Sequence, residues 1–207
     1  MFHKLLRQQW WWQSICALSL SLSGCATELP ASVAEADVSG TLVVGRVVTL
    51  ITGERQRTYP PELRSFELIN TETQERFKVY VKSEDGYFSL SLPPGRYEMN
   101  RVQISEGPFL SMAQLTGSFV IEPDVVIFLG TWRFGVDSPK YGRRVIVSMI
   151  HDEQDQKRVR PFVKDSYPTF STRPVVVLIP EPSHEETRLF EVMPYPLYSR
   201  YFRRHWW

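Results

Sequence analysis

The sequence predicts an all-β fold, an antiparallel β-sandwich with one short helix, and three observations support this prediction. The first is a turn–strand–turn pattern over Asp85–Tyr97, where apolar residues alternate with serines between an Asp-Gly turn and a Pro-Pro-Gly turn. The second is that about eight or nine short β-rich runs follow one another at hairpin spacing. The third is the presence of 15 prolines, which suit rigid turns between strands.

The first half of the chain is predicted to be strands joined by turns. Val38–Ile51 is rich in valine and predicts a strand that is kinked at its central glycine. Phe66–Asn70 and Arg76–Lys82 predict a hairpin, and apolar and polar residues alternate along its second arm. Tyr97–Ile104 predicts a further strand, whose alternation shifts near Asn100 and so indicates a bulge.

The second half of the chain is predicted to contain the central strand and the helix. Glu106–Gly117 is expected to be a loop or a short helix. Val125–Gly130 is apolar on both faces and predicts a central strand that is covered on each side, and Arg143–Ile150 predicts another strand. Asp152–Val163 predicts a short helix capped by its aspartate. Pro174–Ile179 predicts the last strand.

The first residues of the chain have the features of an export signal. His3, Lys4 and Arg7 form a basic segment, and Ile15–Leu22 forms an apolar run that ends at small residues. That run is shorter than the roughly 20 residues that a membrane-spanning helix needs. Residues 1–24 are therefore predicted to be a signal peptide, and the protein is predicted to be exported.

Leu22-Ser23-Gly24-Cys25 resembles the lipobox of bacterial lipoproteins. The resemblance implies that the signal is cut before Cys25 and that this cysteine carries covalent acyl chains such as palmitate, with no other cofactor. Two or more acyl chains anchor a protein stably to a membrane. Ala26 follows the cysteine, which favours the outer membrane and its periplasmic side, although exposure at the cell surface stays open. Residues 25–37 are predicted to be the acylated cysteine and a flexible tether.

The Asp85–Tyr97 pattern, together with Ile127–Trp132, resembles small bacterial lipoproteins that carry a prealbumin-like, carboxypeptidase-regulatory-like β-sandwich. The resemblance covers residues 38–180, which are predicted to form the sandwich domain. Such domains serve as stalks, adaptors and binding modules, so it implies no particular reaction. Related domains of the Cna-B type join a lysine to an asparagine across the core; Lys78 and Asn70 are available here, but we do not expect that bond.

Two acidic clusters with histidine are the candidates for chemistry. His151 with Asp152, Glu153 and Asp155 has residue types that serve as metal ligands or as an acid–base pair, and His184 lies in a second polar segment. We interpret the first as a strand end that passes into a capped, solvated helix and the second as a solvated loop. We therefore expect no metal site, and we expect the protein not to be an enzyme. A hydrolase or metalloenzyme that uses the first cluster is the third-ranked hypothesis.

Residues 181–207 are predicted to be a C-terminal tail in which aromatic and basic residues interleave. Such side chains are enriched at protein interfaces and also stack on sugars. The tail is expected to bind a partner, to cap the sandwich, or to be ordered by a partner. The candidate partner-binding residues are Tyr198, Arg200, Tyr201, Phe202, Arg203, Arg204, Trp206 and Trp207.

The sequence thus predicts a non-catalytic outer-membrane lipoprotein whose sandwich is an interaction or structural module of the cell envelope. Its expected partners are the membrane, through the acyl anchor, and an envelope protein. The alternative is a carbohydrate- or peptidoglycan-binding lipoprotein that uses exposed aromatics. The formal net charge of +1 argues against a general nucleic-acid binder, which needs a basic excess.

Overall fold

The computed structural model describes residues 26–52, 59–81, 86–136 and 144–192. Within these ranges the helix is α1, Glu153–Ser166, and short 3-10 turns occur at Glu35–Asp37 and Pro168–Phe170. The strands are β1 Thr27–Leu29, β2 Thr41–Ile51, β3 Glu62–Asn70, β4 Arg76–Tyr80, β5 Tyr87–Leu92, β6 Gly95–Glu106, β7 Phe109–Gln114, β8 Ser118–Ile121, β9 Val126–Val136, β10 Arg144–Ile150, β11 Val175–Val177, β12 His184–Arg188 and β13 Phe190–Val192.

The strands form two sheets. Sheet 1 has the order β1-β4-β3-β6-β7-β13, with β8 beside β6, and sheet 2 has the order β12-β10-β9-β2-β5, with β11 beside β9. The prediction of an all-β sandwich with one short helix is confirmed. The sheets are mixed rather than purely antiparallel, because the pairs β1–β4, β2–β9 and β11–β9 are parallel.

The core between the sheets is built around three aromatic rings. Phe66, Phe88 and Trp132 are buried, and the centroids of each pair of rings lie 5.0 to 5.1 Å apart. The rings meet at steep angles, the favoured arrangement for aromatic pairs. The indole nitrogen of Trp132 donates to the carbonyl oxygen of Leu129 at 2.9 Å, so its one polar atom is satisfied inside the core.

The turn–strand–turn pattern folds as predicted. Phe88, Leu90 and Leu92 are buried on β5. The preceding Gly86 has φ +69°, and a Cβ there would lie 2.6 Å from the carbonyl oxygen of Val47, so the turn requires glycine. One detail differs, since the polar face of β5 is also covered. Ser89 is buried there, and its hydroxyl is within hydrogen-bond distance of the hydroxyl of Tyr167, at 2.6 Å.

The bulge predicted near Asn100 is present, and a second bulge lies on β9 rather than at Gly45 of β2. The register of β2 against β9 shifts between Val44 and Arg46, where Gly45 lies opposite both Leu129 and Gly130, so the extra residue is on β9. Gly45 itself leaves room for the ring of Phe88. The register of β3 against β6 shifts between Glu67 and Leu68, and this places the extra residue of β6 at Asn100. These bulges let β9 and β6 keep their apolar side toward the core on both sides of the shift.

Helix α1 covers the outer face of sheet 2. Asp152 caps it as predicted, because its side chain accepts a hydrogen bond from the backbone nitrogen of Gln154 at 2.9 Å. Val159 and Val163 pack with Leu42 and Phe128 of the sheet. This layer explains why β9 is buried on both faces, as its apolar sequence predicted. In the described part of the chain, no helix is both long and apolar enough to cross a membrane.

The prediction of a flexible tether at residues 25–37 was wrong for the part that the structure describes, because that part is built into the sandwich. Thr27–Leu29 forms β1 and pairs with β4. The chain then crosses to sheet 2, where the backbone of Ala31 and Val33 makes hydrogen bonds with Ser89 at 2.8 and 3.0 Å. The segment therefore seals one edge of both sheets.

Two further predictions were wrong, and both concern the far edge of the sandwich. Glu106–Gly117, expected to be a loop or a short helix, contains β7, which pairs along β6. The residues after Pro180, expected to be tail, continue the fold: β12 pairs with β10, and after the buried Leu189 the chain crosses to sheet 1, where β13 pairs with β7. The sandwich thus reaches Val192.

Candidate interaction surface

The first acidic cluster is dispersed by the fold. His151 is exposed, and Asp152 is used as the helix cap and lies 3.5 Å from Arg133. Glu153 is exposed in the first turn of α1, whereas Asp155 points into the sheet. Over the described ranges, no group of three or more His, Cys, Asp or Glu side chains is placed to hold a metal ion. The interpretation of this segment as a capped helix is confirmed.

Asp155 anchors α1 to sheet 2. Its side chain is 3% exposed, and one carboxylate oxygen lies 2.6 Å from a guanidinium nitrogen of Arg46. The other oxygen accepts a short hydrogen bond from the hydroxyl of Thr131. Arg46 and Thr131 are register partners on β2 and β9, so one carboxylate ties the helix to the two central strands. The guanidinium also lies 5.7 Å from the ring centroid of Tyr87. The arrangement is that of a structural ion pair.

The second acidic segment is a strand, so its interpretation as a solvated loop was wrong. His184 is exposed on β12 opposite Ser148. Glu186 pairs with Arg144 at 2.7 Å, and the carboxylate of Glu185 accepts from the backbone nitrogen of Thr116 at 2.9 Å. These acids hold the edge strand against its neighbours.

The lysine and asparagine that a Cna-B bond would join have separate roles. Lys78 extends over the ring of Tyr80, with its amine 4.8 Å from the ring centroid. Asn70 is buried, and its amide oxygen accepts from the backbone nitrogens of Glu72 and Thr73 at 2.9 and 3.1 Å. Asn70 therefore closes the β3–β4 turn.

A groove of about 790 Å³ runs between α1 and the chain that leads to β11. Arg160, Lys164 and Asp165 are exposed along it, and the guanidinium of Arg173 lies 4.7 Å from the centroid of the Phe170 ring. Its charges have both signs and face solvent. The groove is therefore a surface depression with ordinary solvated charges rather than a built anion site.

The most distinctive surface is a set of aromatic side chains at one corner of sheet 1. Tyr59, Phe109 and Phe190 are 42%, 37% and 57% exposed. Leu110, Met112 and Val192 are half-buried beside them. We call these six residues the aromatic corner. Contiguous apolar side chains on a surface are typical of interaction sites, whereas single ones are ordinary.

Strand register brings four residues of the aromatic corner together. Phe190 is opposite Met112 and Val192 is opposite Leu110, so these four side chains share the outer face of sheet 1. Phe109 opens β7 directly after the turn at Gly107. Because side chains alternate along a strand, Phe109 lies on the other face of β7 from Leu110, at the open end of the sandwich.

Tyr59 joins the corner through that turn. Gly107 has φ +58°, and a Cβ on it would lie 2.6 Å from the ring of Tyr59. The absence of a side chain at Gly107 thus allows the tyrosine ring to lie flat against the turn.

The sequence did not predict the aromatic corner. Leu189 and Phe190 are adjacent apolar residues, and only the crossing from sheet 2 to sheet 1 decides that Leu189 is buried and Phe190 exposed. Tyr59 and Phe109 are distant in sequence. The available signal was the position of each beside a Pro or Gly turn, a place where side chains tend to reach solvent.

The sites predicted from the sequence lie outside the described residues. These are the acylation site Cys25 and the tail residues Tyr198 to Trp207. The described chain nevertheless fixes where both segments join the sandwich. Ala26 precedes β1 directly, and β13 ends at Val192 within the aromatic corner.

Comparisons with known proteins found no matching family model, no matching curated protein and no matching solved structure.

Proposed function

We propose that this chain is a non-catalytic lipoprotein of the bacterial outer membrane that faces the periplasm and binds an envelope protein. The membrane is its second partner, through acyl chains on Cys25. The observation that carries the protein-binding part is the aromatic corner, which joins the sandwich to the aromatic and basic residues that follow Val192.

The lipid anchor is supported by the sequence in front of the fold. A basic segment, a short apolar run and Leu22-Ser23-Gly24-Cys25 precede the first strand. With the signal removed, Cys25 would be the first residue, and only Ala26 separates it from β1. An anchored molecule would thus carry its folded domain directly at the membrane surface. Placement in the outer membrane with the domain in the periplasm rests on Ala26 after the cysteine, as in the lipobox resemblance.

The protein-binding role is supported by the chemistry of the corner. Aromatic residues and methionine are enriched at protein interfaces, and burying one such side chain contributes about 1.5–3 kcal/mol. Phe190 lies on an edge strand, so its exposed ring is open to a partner. The prealbumin-like resemblance agrees with a binding module, since domains of that kind serve as adaptors.

The test is crosslinking in cells followed by identification of the captured protein. Phe109→Ser with Phe190→Ser removes the two phenylalanines. Val176→Ser is the matched control, because Val176 is also exposed but lies on sheet 2, away from the corner. We expect one envelope protein to be captured by the wild type and by the control, and lost with the double substitution. Deletion of residues 194–207 leaves β13 whole and shows whether the tail contributes.

Two outcomes would contradict the proposal. If the captured protein is unchanged by the double substitution, the corner is not the interface. If acyl labelling is the same for the wild type and Cys25→Ser, the lipoprotein assignment is wrong.

A carbohydrate-binding role is the alternative, because the exposed rings of the corner are also suited to stacking on sugars. Saturable binding to purified peptidoglycan that is lost with Tyr59→Ala would support it. Retained binding in that variant would assign the sugar contact to another surface.

A further inference from the structure

The sandwich has two ends, which strand register identifies. At one end, called the Asn70 end, β3 finishes at Asn70, β6 begins at Gly95 and β2 begins at Thr41. At the other, called the Glu106 end, β3 begins at Glu62 and β6 finishes at Glu106.

The chain enters and leaves sheet 1 at different ends. Thr27, the first residue of β1, is opposite Phe77, whose partner on β3 is Leu68, close to the Asn70 end. Val192, the last residue of β13, is opposite Leu110 at the Glu106 end. The two strands are also at opposite edges, because β1 begins the strand order and β13 finishes it.

From these registers we infer that the start of β1 and the aromatic corner are diagonally opposite, so an anchored molecule holds the corner in the aqueous compartment, away from its own bilayer. This inference rests on the proposed acylation of Cys25. Five strand spacings separate β1 from β13, which is roughly 24 Å, and the rise along β6 from Met99 to Glu106 is roughly 20 Å. The diagonal is therefore on the order of 30 Å.

The connection to the membrane has too little length to change this placement. The Cα atoms of Cys25 and Thr27 are at most about 7 Å apart, because consecutive Cα atoms are 3.8 Å apart. The start of β1 therefore stays near the bilayer. The hydrogen bonds of Ala31 and Val33 with Ser89 hold the following residues on the sandwich, so these residues cannot lengthen the connection to the membrane.

The molecule has three ways to rest on the membrane with the start of β1 beside it. Resting on the Asn70 end or on the β1 edge leaves the aromatic corner in water. Resting on the outer face of sheet 1 would bring Phe190 to the lipid, but it would also press Glu67, Lys78 and Arg101 of that face against the headgroups. Phe190 could reach the acyl chains only if these charges passed below the headgroup layer and lost their water, which is unfavourable, so the first two arrangements are favoured.

The kind of partner follows from this placement. The surface is accessible to a protein that is dissolved in the aqueous compartment or held by a facing structure. It is not accessible to the acyl chains of the anchoring bilayer or to a protein segment buried in them.

Single-cysteine labelling of the full-length, acylated protein tests the placement. The sequence contains only Cys16 and Cys25, and signal removal and acylation consume both thiols, so an added cysteine is the one free thiol. Thr73→Cys lies in the turn at the Asn70 end, and Phe109→Cys lies in the corner. Each carries a fluorophore, in vesicles of phosphatidylethanolamine and phosphatidylglycerol whose headgroups bear a nitroxide quencher.

We expect strong quenching at position 73 and several-fold weaker quenching at position 109. Equal quenching at the two positions, in protein shown by mass spectrometry to be acylated, would overturn this inference and leave the lipoprotein proposal standing. Protein that lacks acyl chains on Cys25 and does not float with vesicles would overturn both.

Discussion

Replacing Asp155 with alanine would test what holds the helix on sheet 2. The carboxylate is almost fully buried and accepts hydrogen bonds from Arg46 and Thr131. Removing one partner of a buried ion pair costs about 3–5 kcal/mol, because the remaining charge is left without compensation. The Arg46 side chain is 29% exposed and its Nε is buried without a hydrogen-bond partner among the described residues. Water can reach part of the guanidinium, so we expect the lower value, about 3 kcal/mol.

The measurement is the free energy of unfolding from urea titrations followed by circular dichroism. An unchanged dependence on urea concentration would show that the substitution altered stability and not the extent of unfolding. A double-mutant cycle with Arg46→Met and Asp155→Leu then measures the interaction energy of the two side chains separately from their contacts with other residues. The double variant should be within about 1–3 kcal/mol of the wild type. Replacing both members of a buried pair with apolar residues is often neutral, but the buried hydroxyl of Thr131 loses its acceptor.

Asp152→Ala is the matched control on the same helix. Asp152 caps α1 and makes only a long, partly exposed contact with Arg133, so its loss should cost about 1 kcal/mol. The reasoning is refuted if Asp155→Ala costs no more than Asp152→Ala. It is also refuted if the effects of Arg46→Met and Asp155→Leu simply add, since residues in one network should show coupling.

Three further predictions concern the core and its titration. Gly45→Ala should destabilise by about 1–3 kcal/mol in the same titration, because the added Cβ overlaps the ring of Phe88. Gly117→Ala, whose Cβ would be 3.4 Å from its nearest neighbour, should change stability little; an equal loss would disprove the packing argument. Burial raises the pKa of Tyr97, so the folded state holds this proton more tightly than the unfolded state. The contribution of this pKa shift to the free energy of unfolding should thus be fully present below about pH 10 and be lost as the pH rises further. Tyr97→Phe should make that loss of stability at high pH less steep.

Sequence reasoning succeeded where local chemistry determines structure. The β3–β4 hairpin, the bulge at Asn100 and the cap at Asp152 each depend on neighbouring residues and fixed backbone preferences. The double-sided burial of β9 was also predictable, because a run without polar residues has to be covered on both faces.

Prediction failed where a segment takes its structure from a distant partner. Thr27–Leu29 and Phe190–Val192 are too short and too irregular to show a periodic pattern. Each becomes a strand because it meets an unpaired edge, β4 in one case and β7 in the other. Local composition carries no information about such an edge.

The candidate site was likewise predictable where its structure depends on local residues and not where it depends on distant ones. The acidic cluster near His151 was correctly interpreted as a capped helix, since the capping signal is local. The buried role of Asp155 was not visible, because it requires Arg46, a residue 109 positions away. The aromatic corner likewise depends on which side of each strand faces water.

The closing of both edges by the chain's outer segments has a consequence for how the protein is made. A chain that emerges from its amino end forms β7 and β10 well before β12 and β13 arrive to pair with them. During that interval both strands present unpaired backbone groups, which readily recruit strands from other copies. The parallel pairing of β2 with β9 joins distant parts of the chain, and such non-local pairings form slowly. The nascent protein is therefore most prone to aggregate just before its last strands are released, and that is the stage at which a holding chaperone would protect it.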